Sequence, residues 1–110
     1  MKRGEVWQAD LGAKSGRRPI VILTRSAAIP YLNKVTVAEI TSQSKGYPTE
    51  ADIDQKANLP IPSYVQLDNI QTISKSRLEK YLGTLDEGTM KSIGEKIVLA
   101  LHLETVFSKP

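Results

Sequence analysis

Short runs in which apolar and polar residues alternate fill the first three quarters of the chain, and this period of two is typical of half-buried β-strands. Residues 5–11 and 35–40 alternate in this way, whereas residues 19–24 are continuously apolar or β-branched. A continuous run of that kind predicts a central strand that is buried on both faces. Further short strands are predicted at residues 49–53, 63–67, 70–73 and 81–84.

The period lengthens to that of an α-helix near the end of the chain. Asp86 is predicted to be the N-cap, with Glu87 in the first turn. The apolar positions that share one helical face are Met90, Ile93, Ile97, Ala100 and Leu101. These features predict a C-terminal helix over about residues 86–103, which Gly88 and Gly94 weaken.

Proline, glycine and polar clusters mark the connections between the predicted strands. Residues 26–33 predict an irregular connection with one helical turn, and residues 74–78 a tight turn. Residues 54–62 predict a loop, because Pro60 and Pro62 each remove a hydrogen-bond donor that a central strand needs. Five to seven short strands and one closing helix predict a single, mainly β domain of the α+β class that takes in all 110 residues, built as a small barrel or curled sheet.

The composition excludes several kinds of site. The chain has no cysteine and one histidine, so a disulfide framework, a thiolate nucleophile and a Cys-ligated metal are excluded, and we expect no metal or cofactor. A mechanism that needs two histidines is excluded as well, and we expect His102 to complement the helix dipole or to be partly packed. No apolar run approaches the roughly 20 residues that span a bilayer, and no secretory signal opens the chain. We therefore expect a cytoplasmic protein with no membrane partner.

Charge is unevenly distributed along the chain. Residues 1–48 carry eight Lys or Arg against three acidic residues, a balance of +5, and residues 49–110 carry seven against nine, a balance of −2. A basic half suits a polyanionic partner such as a nucleic acid. The same distribution also fits a solvated surface or an acidic protein partner.

Residues 41–48 follow a predicted strand and combine several polar functional groups. This loop holds three hydroxyls, a carboxamide, an ammonium and an aromatic ring, and loops that leave a rigid strand often carry binding groups. Tyr47 in this basic loop is a candidate for stacking on a base, whereas Trp7 in an alternating strand is expected in the core. A solvated hairpin connection is the alternative for the loop.

Arg18 and Thr41 lie at the ends of two predicted strands. A guanidinium fixed at the start of a buried strand can grip a phosphate with two donors. The hydroxyl of Thr41 can donate to a phosphate oxygen or orient a ribose hydroxyl. Arg17 is expected to point away from Arg18, since successive side chains of a strand face opposite sides. The alternatives are surface-exposed arginines and a local backbone contact for Thr41.

The ordered motifs of the chain resemble those of the MazF/PemK family of toxin–antitoxin endoribonucleases. The matching segments are KRGEVW at residues 2–7, RPIVIL at 18–23, ITSQSKGYP at 40–48 and VQLDNIQTI at 65–73. Arg77 with its neighbours and the start of the last helix also fit. The resemblance covers nearly the whole chain in the right order.

This resemblance implies a dimeric SH3-like β-barrel of the MazF/CcdB type, inhibited by a separate antitoxin chain that is acidic and partly disordered. The implied activity is metal-independent, sequence-specific cleavage of single-stranded RNA, in which the 2′-hydroxyl of the substrate attacks the adjacent phosphate. By the same resemblance, Arg18 and Thr41 carry the chemistry. The implied RNA-binding residues are Arg17, Ser42, Gln43, Lys45, Tyr47, Asn69 and Arg77.

Two features depart from the family pattern. The loop at residues 12–16 is shorter than usual and lacks the acidic residue common there, and Asn69 stands where a glutamine is common. Arg18 stays protonated and is unsuited to accept a proton, which leaves the general acid and base unassigned.

Two other functions stay open: a CcdB-like toxin that binds a protein such as DNA gyrase without cleaving RNA, and a plain nucleic-acid-binding barrel.

Overall fold

The computed structural model describes residues 1–107, which form six β-strands and two α-helices. The strands are β1 (Glu5–Asp10), β2 (Arg17–Ile22), β3 (Lys34–Thr41), β4 (Glu50–Asp54), β5 (Ser63–Ser74) and β6 (Leu78–Thr84). The helices are α1 (Glu87–Ala100) and α2 (Glu104–Phe107), and single 3-10 turns occur at Ile29–Tyr31 and Lys75–Arg77. No helix in this part of the chain is long and apolar enough to cross a membrane.

All six strands join one antiparallel sheet in the order β4-β5-β3-β2-β1-β6. β4 and β6 form the two edges and share no ladder, so of the two predicted forms, a small barrel or a curled sheet, the strands adopt the open, curled sheet. The loop after β4 nevertheless reaches β6, where the Asn58 side-chain amide donates to the carbonyl of Leu82 at 2.7 Å. This contact links the edges through a loop instead of a strand pair, and the predicted mainly β fold with a C-terminal helix is confirmed.

β5 is one strand of 12 residues, where the sequence predicted two short strands. Gln66 lies across from Glu39, yet Ile70 lies across from the preceding residue of β3, Ala38. The three residues between Gln66 and Ile70 therefore bulge out of the ladder. The bulge lifts Asp68 and Asn69 out of regular pairing, which is why the local pattern indicated a turn at this point.

Apolar clusters fill the two faces of the sheet. On one face, fully buried residues of α1 and the strands pack together, among them Ile93, Val6, Val21, Ile53 and Val65. On the other face, the buried cluster contains Ala9, Ile20, Ile22, Val37 and Ile73. Trp7 packs against this second cluster as predicted, with its ring 5.8 Å from that of Tyr81. Because both faces are filled, β2 and β3 form a rigid centre whose ends can hold side chains in fixed positions.

α1 begins as the sequence predicted and ends three residues earlier. The carboxylate of Asp86 accepts a hydrogen bond from the backbone N–H of Thr89 at 2.7 Å, which confirms the N-cap. His102 adopts a left-handed conformation with φ 56°, and the N–H of Leu103 returns to the carbonyl of Val98, which together close the helix. Leu101 was predicted on the buried stripe, but it follows the last helical turn and is 55% exposed.

Gly83 in β6 lies very close to the loop that follows β4, the other edge strand of the sheet. A Cβ built at Gly83 would lie 2.7 Å from the Cα of Ala57, so a side chain there forces two backbones apart. We expect Gly83→Ala to lower the melting temperature. Gly94→Ala on α1 meets nothing within 4 Å and should stabilise the protein by about 1 kcal/mol through helix propensity. Thermal unfolding of both variants checks this, and an unchanged melting temperature for Gly83→Ala would contradict the close approach.

Candidate active site

Arg18 and Thr41 lie where β2 and β3 part. The ladder between these strands runs as far as the pair Ile20 and Glu39. Continuing its register by two residues places Arg18 across from Thr41, on the sheet face that Ile20 and Glu39 share. The ladder stops short of them because Pro19 has no N–H to donate. Arg18 and Thr41 also line one cleft of about 240 Å³ at this end of the sheet.

The guanidinium of Arg18 is held at one nitrogen and free at the others. Its Nε donates to the backbone carbonyl of Ser15 at 2.9 Å and lies 3.7 Å from Oε1 of Glu39. The side chain is 46% exposed, and within residues 1–107 its two terminal nitrogens have no hydrogen-bond partner. A guanidinium anchored in this way presents two donors to a phosphate with little further loss of side-chain freedom.

Arg17 occupies a different environment from its neighbour. It pairs with Asp10 across β1 while Arg18 pairs with Ala9, so the two arginines leave opposite faces of β2 as expected. The Nε of Arg17 forms an ion pair with Glu79 at 2.8 Å. That hydrogen bond and charge raise the pKa of Arg17 above its ordinary value. Arg17 also lines the cleft, so it can contribute positive charge there without sharing the face of Arg18.

Thr41 opens the loop that leaves β3. Its Oγ1 accepts a hydrogen bond from the backbone N–H of Gln43 at 3.1 Å, which leaves the hydroxyl proton free to donate. Ser42 lines the cleft beside Thr41, and the side chain of Gln43 is exposed. Tyr64 of β5 lies directly across from Thr41 and is partly buried, so it borders the same face.

A second pocket of about 100 Å³ lies between the loop and the β5 bulge. It is lined by Lys45, Tyr47, Thr49, Glu50, Gln66, Asp68 and Asn69. The ring of Tyr47 is 54% exposed, and the amide of Asn69 donates to Oε1 of Gln66 at 3.2 Å. Gln66 faces Glu39 on one side and Glu50 on the other, so a row of polar side chains connects this pocket to Arg18.

Glu50 holds the loop in its folded shape. Its carboxylate accepts hydrogen bonds from the hydroxyl of Ser44 at 2.7 Å and from the backbone N–H groups of Lys45 and Gly46 at 2.9 and 3.2 Å. Gly46 has φ +74°, a conformation that favours glycine. The Lys45 backbone bond, followed by that of the Ser44 hydroxyl, lowers the pKa of Glu50 below its ordinary value.

Replacing Glu50 by glutamine is expected to loosen this loop. A lowered pKa means that the folded loop favours the carboxylate, so its contribution is complete above the ordinary pKa of glutamate and is lost as the pH falls through the lowered pKa. At neutral pH, the backbone amides of Lys45 and Gly46 should therefore exchange hydrogen faster in Glu50→Gln than in the wild type. Equal exchange at these amides in the two proteins would contradict the proposed role of Glu50.

Arg77 lies outside both pockets. Its Nη1 donates to the carbonyl of Asp10 at 3.2 Å and lies 4.0 Å from the position of a Cβ on Gly12. It therefore braces the turn between β1 and β2 and lines neither pocket described here. The structure thus brings four of the predicted site residues together at one cleft, namely Arg17, Arg18, Thr41 and Ser42. Three others line the second pocket, namely Lys45, Tyr47 and Asn69.

The structure adds polar residues that the sequence did not single out. Glu39, Glu50, Tyr64 and Gln66 border the face between the two pockets. A charged residue near the end of an otherwise apolar, β-branched strand was the available signal for Glu39. Within residues 1–107, no group of three His, Asp or Glu side chains is arranged to hold a metal ion.

Residues 2–101 match the family described as PemK-like, MazF-like toxin of type II toxin–antitoxin system. This match takes in most of the chain and all six strands. The protein belongs to this family of type II toxins.

Relatives and solved structures agree with this assignment. The endoribonuclease MazF3 of Mycobacterium tuberculosis is 39% identical over 89 residues, which cover 81% of this chain and 86% of that protein. The structure of the Mycobacterium tuberculosis toxin MazF-mt6 is similar with a TM-score of 0.82 and 36% identity, covering 89% of this chain and 96% of that one. A mycobacterial endoribonuclease in complex with its cognate antitoxin gives a TM-score of 0.81 at 29% identity, covering 100% of this chain and 99% of that one.

Proposed function

We propose that this toxin is an endoribonuclease that cuts single-stranded RNA at the cleft of Arg18 and Thr41. The observation that supports this most directly is the register of β2 and β3, which brings a guanidinium with two free donors and a hydroxyl to one sheet face. Membership of a toxin family with endoribonuclease relatives supports the same activity.

The reaction uses a nucleophile that the substrate itself supplies. The 2′-hydroxyl of a ribose attacks the adjacent phosphate, so neither a metal ion nor a protein nucleophile is required. Arg18 holds the phosphate and stabilises the charge that develops on its oxygens, which is often the largest single catalytic contribution. Thr41 donates to a phosphate oxygen or orients the attacking hydroxyl, which fixes the geometry of attack.

The bases flanking the cut are read at the second pocket. Tyr47 stacks on an unpaired base, and Lys45 and Asn69 offer donors to its edge or to a phosphate. Ser42 and Arg17 contact the RNA at the cleft, and Gln43 contacts it beside them. Arg77 reaches only RNA that extends beyond the turn between β1 and β2.

The proposed partners follow from the family and the charge distribution. A cognate antitoxin inhibits the enzyme, and an acidic antitoxin segment would complement the +5 balance of residues 1–48. The toxin acts as a homodimer in the cytoplasm, where messenger RNA is available. Sedimentation of the purified toxin, with and without its antitoxin, tests both the homodimer and the toxin–antitoxin complex.

Incubation of the purified toxin with a single-stranded transcript in EDTA tests the activity. We expect discrete fragments, with a 2′,3′-cyclic phosphate at the 3′ end of the upstream fragment and a 5′-hydroxyl on the downstream fragment. Sequencing these ends identifies the bases that are read. The same RNA annealed to its complement is the matched control and should stay intact. A single-stranded transcript that also stays whole would instead indicate a toxin that acts by binding a protein or a barrel that binds nucleic acid without cutting it.

A further inference from the structure

We infer that Glu39 accepts the proton of the attacking 2′-hydroxyl, an inference that rests on the proposed ribonuclease activity. Glu39 lies two residues before Thr41 in β3 and faces Ile20, so its side chain shares the sheet face of Arg18 and Thr41. The proposed reaction needs a proton acceptor at this place, and a guanidinium cannot serve as one.

The two oxygens of Glu39 have different surroundings. Oε2 accepts a hydrogen bond from the side-chain amide of Gln71 at 3.0 Å, which fixes the plane of the carboxylate. Oε1 forms an ion pair with Nε of Arg18 at 3.7 Å, beyond hydrogen-bond length, and Nε donates its hydrogen bond to Ser15. Within residues 1–107, Oε1 accepts no hydrogen bond, so it is oriented by Gln71 yet able to take a proton.

The carboxylate of Glu39 is partly shielded from solvent. The side chain of Glu39 is only 16% exposed, at the edge of a cluster of buried apolar residues. A carboxylate in a partly desolvated position beside a cation interacts more strongly with nearby groups than one in open water. Its negative charge also opposes that of the phosphate, so binding the RNA gains nothing from it. A role in the chemical step explains its position better than a role in affinity.

The other carboxylates near the cleft have partners other than Arg18. Glu79 is paired with Arg17, and Asp10 accepts the backbone N–H of Gly12. Glu50 holds the loop, and Asp68 accepts the hydroxyl of Thr49 at 2.6 Å. The turn at residues 12–16 contains no acidic residue. Among the described residues, Glu39 is thus the acidic residue that forms an ion pair with Arg18, and its Oε1 accepts no hydrogen bond.

The proposed reaction needs water as its only co-reactant to account for every bond and proton. The 2′-hydroxyl gives its proton to Oε1 of Glu39 while its oxygen forms a bond to phosphorus. The bond from phosphorus to the 5′ oxygen breaks, and that oxygen takes a proton from water. The products are a 2′,3′-cyclic phosphate and a free 5′-hydroxyl, and Glu39 then returns its proton to the solvent.

Glu39→Gln separates proton transfer from positioning. Glutamine keeps the shape and can still bond to Gln71, but it cannot accept the proton. Single-turnover cleavage should slow by about 10²- to 10⁴-fold, the usual contribution of a general base. The Kd for the same RNA with a 2′-deoxyribose at the cut site should stay equal or decrease, because a negative charge beside the phosphate is removed. Glu95→Gln on the exposed side of α1 is the control and should cleave at the wild-type rate.

Chemical rescue gives a second measurement. Glu39→Ala leaves a space beside Arg18, and added acetate should partly restore cleavage by accepting the proton in place of the side chain.

A Glu39→Gln variant that cleaves as fast as the wild type would overturn the inference. So would a Kd that rises by the same factor as the rate falls, since Glu39 would then only position Arg18. If the wild-type toxin cuts no RNA, the proposed ribonuclease activity is wrong. If the wild type cuts RNA and Glu39→Gln cuts it equally fast, only the role of Glu39 is wrong.

Discussion

Replacing Arg18 by alanine is expected to slow RNA cleavage by about 10²- to 10³-fold, the usual cost of losing a fixed donor to a developing oxyanion. The fold should be retained, because the side chain is nearly half exposed and its one close hydrogen bond is to a turn carbonyl. Initial rates on an end-labelled transcript and a thermal unfolding curve measure both effects.

Two further variants show which property of Arg18 matters. Arg18→Lys keeps the charge but loses the planar pair of donors, so it should stay well below the wild-type rate. Lys91→Ala removes one positive charge from the exposed surface of α1 and should leave the rate unchanged. A folded Arg18→Ala protein that cuts RNA as fast as the wild type would contradict the assignment of the cleft.

Replacing Ile93 by alanine is expected to lower the free energy of unfolding by about 2–5 kcal/mol. Ile93 is fully buried against residues of the strands and joins α1 to the sheet, so truncation leaves a cavity. A loss of this size is a large part of the roughly 5–15 kcal/mol that stabilises a domain of this kind. Urea unfolding followed by circular dichroism measures it.

Leu101→Ala is the matched control for Ile93→Ala. Both residues belong to the apolar pattern of the last helix, but Leu101 lies after its final turn and is exposed. Its truncation should change the free energy of unfolding by no more than about 0.5 kcal/mol. Similar losses in the two variants would contradict the placement of α1.

Local patterns predicted most of the elements. Alternation identified β1 and β3 to within one residue at each end, and the capping residue Asp86 fixed the start of α1. The end of α1 was missed because His102 adopts the left-handed conformation that more often marks a glycine. The sequence predicted two strands in place of β5, because a bulge interrupts the alternation of apolar and polar residues in the same way as a turn.

Contacts between distant strands could not be predicted from local patterns. The motifs named Arg18 and Thr41, but only the register between β2 and β3 shows that their side chains share a face. The pairing of Glu39 with Gln66 and of Gln66 with Glu50 depends on the order of strands in the sheet. Whether the sheet closes is equally a long-range property, since it depends on how the loop after β4 meets β6.

The most direct test of the proposed chemistry uses one RNA oligonucleotide made in two forms. The first is all-ribose, and the second has a single 2′-deoxyribose immediately upstream of the phosphate that the toxin cuts. Attack by the substrate's own hydroxyl over Arg18 and Thr41 predicts that the toxin binds both and cuts only the first. Cleavage of the second form at the same phosphate would show that another nucleophile acts, and would contradict the mechanism.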